Sequence, residues 1–107
     1  METFKQIVYR ESDKALLITP SNEGMITPLY FVDELDVNDQ APLLDLRNFC
    51  LTKTSDLKYV VHISGTNRLD IQPNEGDLIY YMIDEMDQAD KDVVLSAGNK
   101  CTELLNR

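Results

Sequence analysis

The chain has few of the residues on which most catalytic motifs depend. Its 107 residues include no tryptophan, one histidine, two cysteines and four glycines. It has no Walker loop, no GxGxxG, GxSxG or HExxH sequence, and no cysteines at zinc-binding spacing. We therefore expect a binding protein rather than an enzyme, with no catalytic residues, no bound metal and no cofactor.

The sequence also lacks a long apolar run and a basic N-terminal segment followed by an apolar one, the features of membrane spans and of export signals. Cys50 and Cys101 do not form a CxxC pair, and two cysteines without an export signal are expected to be reduced thiols. These absences predict a cytoplasmic protein that does not enter a membrane.

Length and composition predict one small globular domain over residues 1–107. A hydrophobic fraction of 43% is ordinary for a folded protein, and the chain is long enough for one hydrophobic core. No internal repeat is evident in the sequence.

Positive charge is missing from two long stretches, residues 33–45 and 70–90. They hold twelve of the 19 carboxylates and no lysine or arginine, and the net charge of the chain is -9. A clustered negative surface attracts basic partners and repels nucleic acid and anionic membranes. The expected partner is a basic protein, such as a nuclease or a nucleic-acid-binding protein, with no direct binding of nucleic acid.

Residues 3–10 and 15–19 are predicted to form a hairpin, with turn-forming residues 11–14 between them. The following segment, residues 25–32, is ambiguous. It is either an edge strand, because Pro28 cannot donate a hydrogen bond within a sheet, or a short helix that Pro28 opens.

A second hairpin is predicted from residues 58–64 and 68–72. A three-residue loop over 65–67 would place apolar residues opposite each other, namely Ile63 with Leu69 and Val61 with Ile71. His62 would then face Asp70 across the outer surface of the sheet. Because no nucleophile lies near them in the sequence, an ion pair is expected there rather than a general base.

Helical periodicity predicts two or three helices. One begins at Pro42, behind an acidic connector over residues 33–40, and another spans residues 77–87. Residues 92–96 alone resemble a strand, but the spacing of small and apolar residues around them favours a C-terminal helix. The expected fold is therefore α+β, an antiparallel sheet of about four strands built from hairpins and packed by two or three helices.

The predicted helix over 77–87 has an apolar side and an acidic side, and Tyr81 falls on the acidic side. An aromatic ring surrounded by carboxylates is a typical anchor for a basic partner. If the segment is a strand instead, Tyr80 and Tyr81 lie on opposite faces. The predicted partner-binding residues are Asp77, Tyr80, Tyr81, Asp84, Glu85 and Asp87, and a secondary acidic patch consists of Asp33, Glu34, Asp36 and Asp39.

The string Asp77-Leu78-Ile79-Tyr80-Tyr81 resembles the partner-binding helix of the immunity proteins that block colicin-type nucleases. In that family two adjacent tyrosines and nearby acidic residues carry the contact. The family is all-helical and shorter, whereas this chain opens with strands, so the resemblance concerns contact chemistry and not kinship. It implies that Tyr80 and Tyr81 contact a partner.

These features together predict a small acidic protein that inhibits or neutralises a basic partner by occlusion and phosphate mimicry. An immunity protein to a toxin nuclease and a phage-type inhibitor of a nucleic-acid-binding defence protein both fit this description. The alternative is an acidic secretion or assembly chaperone, or an accessory subunit, that acts as a homodimer.

Overall fold

The computed structural model describes residues 1–107 and has an α+β fold with one antiparallel sheet of six strands and two helices. The predicted class and the antiparallel sheet are confirmed, with six strands rather than about four. Short 3-10 turns at Val32–Glu34 and Ile83–Glu85 join the edge strands to the helices. The strands are β1 Phe4–Arg10, β2 Ala15–Pro20, β3 Leu29–Phe31, β4 Tyr59–Ile63, β5 Arg68–Gln72 and β6 Ile79–Met82, and the helices are α1 Val37–Leu51 and α2 Gln88–Leu105.

The strand order β3-β2-β1-β4-β5-β6 is one three-stranded unit present twice, with β1 and β4 side by side at the centre. Each half of the chain runs through three strands, a 3-10 turn and a helix. We call residues 4–51 the N-terminal repeat and residues 59–105 the C-terminal repeat. Val8 lies opposite Val61 where the two meet. The fold therefore contains an internal repeat that was not evident in the sequence.

One trace of the repeat in the sequence is a five-residue segment. Residues 32–36 read Val-Asp-Glu-Leu-Asp, and residues 83–87 read Ile-Asp-Glu-Met-Asp. The backbone N–H of Val32 donates to the carbonyl of Lys14, and that of Ile83 donates to the carbonyl of Asn67, both at 2.9 Å. Lys14 and Asn67 have left-handed φ angles of 55° and 50°. Each 3-10 turn is therefore tied to the end of its own hairpin in the same way.

Both helices pack on one face of the sheet, over a core of 17 buried residues drawn from both repeats. Cys50 of α1 and Cys101 of α2 occupy matching positions and are fully buried. Burying a large apolar side chain contributes roughly 1.5–3 kcal/mol, so this shared core is the main stabilising element of the fold. Neither helix is long and apolar enough to cross a membrane.

The predicted C-terminal helix is confirmed, because residues 92–96 lie within α2. Residues 29–31 of the ambiguous segment form β3, an edge strand. The helix predicted to begin at Pro42 begins at Val37 instead, with Pro42 inside it, so part of the expected acidic connector is helical.

The prediction of a helix over residues 77–87 is wrong, because this segment forms β6 and the second 3-10 turn. Its apolar residues recur at a spacing that a strand followed by a turn also satisfies. Ile79 and Tyr81 pack against the core from the strand, and Ile83 is fully buried in the turn.

The predicted register of the second hairpin is also wrong, by one residue. Ile63 pairs with Arg68 and His62 with Leu69, because the loop contains four residues, 64–67, and Asn67 takes up a left-handed conformation. A shift of one residue exchanges the two faces of a strand. Val60 and His62 therefore face the core, and Val61 and Ile63 face away from the helices.

Candidate functional site

A groove of about 480 Å³ opens between β6 and the C-terminal end of α1. Its walls combine aromatic rings and methionine side chains with charged groups. We call it the β6 groove, and its lining residues are Phe49, Lys53, Tyr80, Tyr81, Met82, Glu85, Met86 and Asp90.

The two predicted contact tyrosines lie on opposite faces of β6, as alternation along a strand requires. Tyr80 is 60% exposed, and its ring centre lies 5.0 Å from the guanidinium carbon of Arg68. Tyr81 is half-buried and packs against the core. The expectation that Tyr81 is the tyrosine exposed among carboxylates is therefore wrong, and Tyr80 is the more exposed of the two.

The predicted carboxylates of this region do not form one cluster. Glu85 lines the groove, and Asp84 beside it accepts a hydrogen bond of 2.8 Å from the side-chain amide of Asn67. Asp87 caps α2 by accepting a bond of 3.0 Å from the backbone N–H of Asp90. Asp77 precedes the start of β6, whereas Asp84 and Glu85 follow its end, so the length of the strand separates Asp77 from them.

Five residues that line the groove were not among the predicted contacts, namely Phe49, Lys53, Met82, Met86 and Asp90. Phe49 and Lys53 belong to the end of α1 and the turn after it, and Asp90 belongs to the first turn of α2. Lys53 places its ammonium 5.4 Å from the ring centre of Phe49 and 5.7 Å from that of Tyr81. The repeat in the sequence points to Asp90, because Asp90 follows the second five-residue segment as Asp39 follows the first.

The secondary acidic patch divides into free and paired carboxylates. Asp33, Glu34 and Asp36 are exposed, and Asp33 lies 3.3 Å from the ammonium of Lys14. Asp39 is only 5% exposed and accepts hydrogen bonds from Lys100 at 2.9 Å and from Arg107 at 2.6 and 2.8 Å. These cations hold the pKa of Asp39 well below its ordinary value. Asp39 is therefore not available to a partner.

Asp90 occupies the position of Asp39 in the other repeat, yet it forms no salt bridge. Phe49 of α1 stands where α2 has Lys100, each directly before the buried cysteine of its helix. The matching surface beside β3 holds no cavity, whereas the β6 groove is open. The two repeats therefore carry one filled and one open version of the same acidic site.

His62 and Asp70 do not form the expected pair. Asp70 accepts hydrogen bonds of 2.6 and 3.0 Å from Arg68, while His62 points into the core. The ring of His62 lies edge-on to Phe4 with centres 5.1 Å apart, and its Nε2 atom has no hydrogen-bond partner. Burial lowers the pKa of His62, so the ring is neutral at physiological pH.

The remaining reactive groups form no second site. Cys50 and Cys101 are free, and burial raises the pKa of each thiol to about 12. No group of three or more His, Cys, Asp or Glu side chains is placed to hold a metal ion.

No protein-family model, no curated protein and no solved structure matches this chain.

Proposed function

We propose that this is a small acidic binding protein that inhibits or neutralises a basic protein partner by covering its surface. The observation that carries the proposal is the β6 groove, in which aromatic walls meet two carboxylates, Glu85 and Asp90, that have no salt bridge. Exposed Tyr80 supplies apolar area with few rotatable bonds at its rim. The protein acts by binding and not by catalysis.

The position of the groove suits a basic segment in two further ways. The outer edge of β6 is unpaired, because β6 is the last strand of the sheet, and an extended segment can add to such an edge. The net charge of -9 steers a basic partner toward the protein. Carboxylates would then occupy positions that phosphates take in the partner's own complexes. A cytoplasmic immunity protein to a toxin nuclease and an inhibitor of a nucleic-acid-binding defence protein both act in this way.

Site-specific photocrosslinking tests the proposal. A benzophenone amino acid replaces Tyr80, and the matched control carries it at Leu29, the corresponding position on β3, in cells that contain the natural partner. We expect a basic protein to be crosslinked from position 80 and not from position 29. Equal crosslinking from both positions, or no basic protein among the products, would contradict the proposal.

The purified partner allows a second measurement. We expect its association rate to fall by about tenfold or more as salt is raised from low to high concentration, because charge steering is screened. An association rate that does not respond to salt would argue against electrostatic recognition.

The uncovered face of the sheet favours a second candidate, a homodimeric chaperone or accessory subunit. Both helices lie on the other face, and this one carries partly exposed apolar residues near its centre, Val8, Leu17, Val61 and Ile63. An exposed apolar patch is typical of a subunit interface. Sedimentation at two ionic strengths separates the candidates, because this one requires a dimer whose stability is independent of salt.

A further inference from the structure

The N-terminal repeat shows what fills an acidic site of this type. Asp39 receives a two-pronged arginine contact from Arg107 and a lysine contact from Lys100. All the hydrogen bonds of Asp39 to these side chains fall between 2.6 and 2.9 Å. An aspartate at this point of the fold is therefore well placed to bind a planar guanidinium.

The C-terminal repeat has the aspartate but not its cations. Phe49 replaces Lys100, and α1 ends at Leu51 whereas α2 continues to Leu105 and brings Arg107 to its site. Asp90 is partly exposed at the wall of the groove, with Glu85 also lining it. The site at Asp90 is therefore negatively charged and open to solvent.

The aromatic walls of the groove add a second feature that favours a cation. The ammonium of Lys53 already lies within 6 Å of the ring centres of Phe49 and Tyr81, at 5.4 and 5.7 Å, yet it forms no salt bridge with Glu85 or Asp90. Arginine combines stacking on aromatic rings with two-pronged binding of a carboxylate, which lysine does not.

We propose that the β6 groove binds an arginine side chain of the partner, with the guanidinium on Asp90 and its plane against the aromatic wall. This inference rests on the proposed function, because it names the residue by which a basic partner is recognised. In effect the partner supplies to Asp90 what Arg107 supplies to Asp39.

The test is an NMR titration of the whole ¹⁵N-labelled chain with a capped Gly-Arg-Gly peptide. The matched probe contains citrulline, which has nearly the same shape as arginine and no charge. We expect the arginine peptide to shift the amide signals of Tyr81, Glu85 and Asp90. Its half-saturating concentration should be about tenfold lower than that of the citrulline peptide, since charged hydrogen bonds are the stronger ones.

Two variants locate the contact. Asp90→Asn should raise the half-saturating concentration of the arginine peptide about tenfold, whereas Asp92→Asn, an equal charge change on an exposed residue of α2, should change it less than about twofold. Equal affinity for the two peptides, or an equal response of the two variants, would overturn the proposal. Binding that occurs only in Lys53→Ala would also overturn it, because the groove would then be occupied by the chain's own lysine.

The outcomes separate this inference from the proposed function. A basic protein crosslinked from position 80, together with equal binding of both peptides, would retain the binding role and remove the arginine specificity. Arginine-specific binding without any basic protein crosslinked would retain the arginine site and remove the proposed role of neutralising a basic protein.

Discussion

Asp39 and Asp90 occupy the same position in the two repeats, but Asp39 bonds to Lys100 and Arg107 while Asp90 bonds to no cation. The two acidic stretches of the chain therefore have one structural origin and two outcomes. In the first stretch Asp39 is paired within the molecule while Glu34 and Asp36 stay exposed, and in the second Glu85 and Asp90 line an open groove. The difference arises because Phe49 of α1 stands where α2 has Lys100, and because α2 extends beyond the length of α1.

The two adjacent tyrosines should separate stability from binding. Tyr81→Ala removes a ring that packs against the core and should lower the free energy of unfolding by about 2 kcal/mol. Tyr80→Ala removes an exposed ring and should change it by less than about 0.5 kcal/mol, while weakening partner binding. Chemical denaturation of both variants measures the free energy of unfolding. A larger stability loss for Tyr80→Ala would show that the faces of β6 are assigned incorrectly.

Asp39→Asn should destabilise the fold at neutral pH, because it removes the buried negative charge that Lys100 and Arg107 both contact and leaves them only the exposed carboxylate of Glu103. The pKa of Asp39 is lower in the folded state than its ordinary value of 3.8. Its contribution to stability is therefore present above that ordinary value and is lost as pH falls through the folded-state pKa.

Denaturation midpoints of wild type and Asp39→Asn should accordingly differ at about pH 7 and converge in strong acid. Asp92→Asn, on an exposed part of α2, is the control and should leave the midpoint nearly unchanged. A difference in denaturation midpoint between wild type and Asp39→Asn that stays the same down to the lowest pH would indicate lost packing and not lost charge pairing.

His62 should make the stability of the wild-type protein depend on pH below about 6.5. Burial lowers the pKa of His62 in the folded state, so the unfolded chain takes up a proton first as pH falls. Stability is then lost between the unfolded-state pKa and the folded-state pKa, by up to about 1.4 kcal/mol per pH unit.

His62→Leu should flatten this dependence over the range between about pH 7 and pH 5.5, because His62 is the only histidine. Denaturant titrations across that range provide the measurement. The same slope in both proteins would mean that another group titrates there.

The sequence was sufficient where local patterns decide the structure. The first hairpin was predicted nearly to the residue, because Arg10 and Ala15 flank a compact polar turn. The C-terminal helix was also predicted, since small and apolar residues recur on one side of α2. The register of the second hairpin was predicted incorrectly, because it depends on a left-handed Asn67 that extends the loop by one residue.

The candidate site was predicted only in part, because it depends on contacts far apart in the sequence. Tyr80, Tyr81 and Glu85 were identified from their local setting, whereas Phe49 comes to them from the other repeat. The sequence around Asp39 gives no sign that this carboxylate is paired, because Lys100 and Arg107 lie 61 and 68 residues away. The repeat is hard to detect in the sequence because its halves share only short segments, such as Pro20-Ser21-Asn22-Glu23-Gly24 with Pro73-Asn74-Glu75-Gly76, and have β2–β3 and β5–β6 loops of different length.

The central claim is that the β6 groove is the open copy of a cation site that Lys100 and Arg107 fill in the other repeat. The most direct measurement is an NMR titration of the Lys100→Ala, Arg107→Ala double variant with the capped Gly-Arg-Gly peptide. We predict that wild type shows shifted amide signals only around Asp90, and that the double variant shows a second set around Glu34 and Asp39 while its sheet signals stay in place. Shifts confined to one site in the double variant, or at both sites in wild type, would contradict the claim.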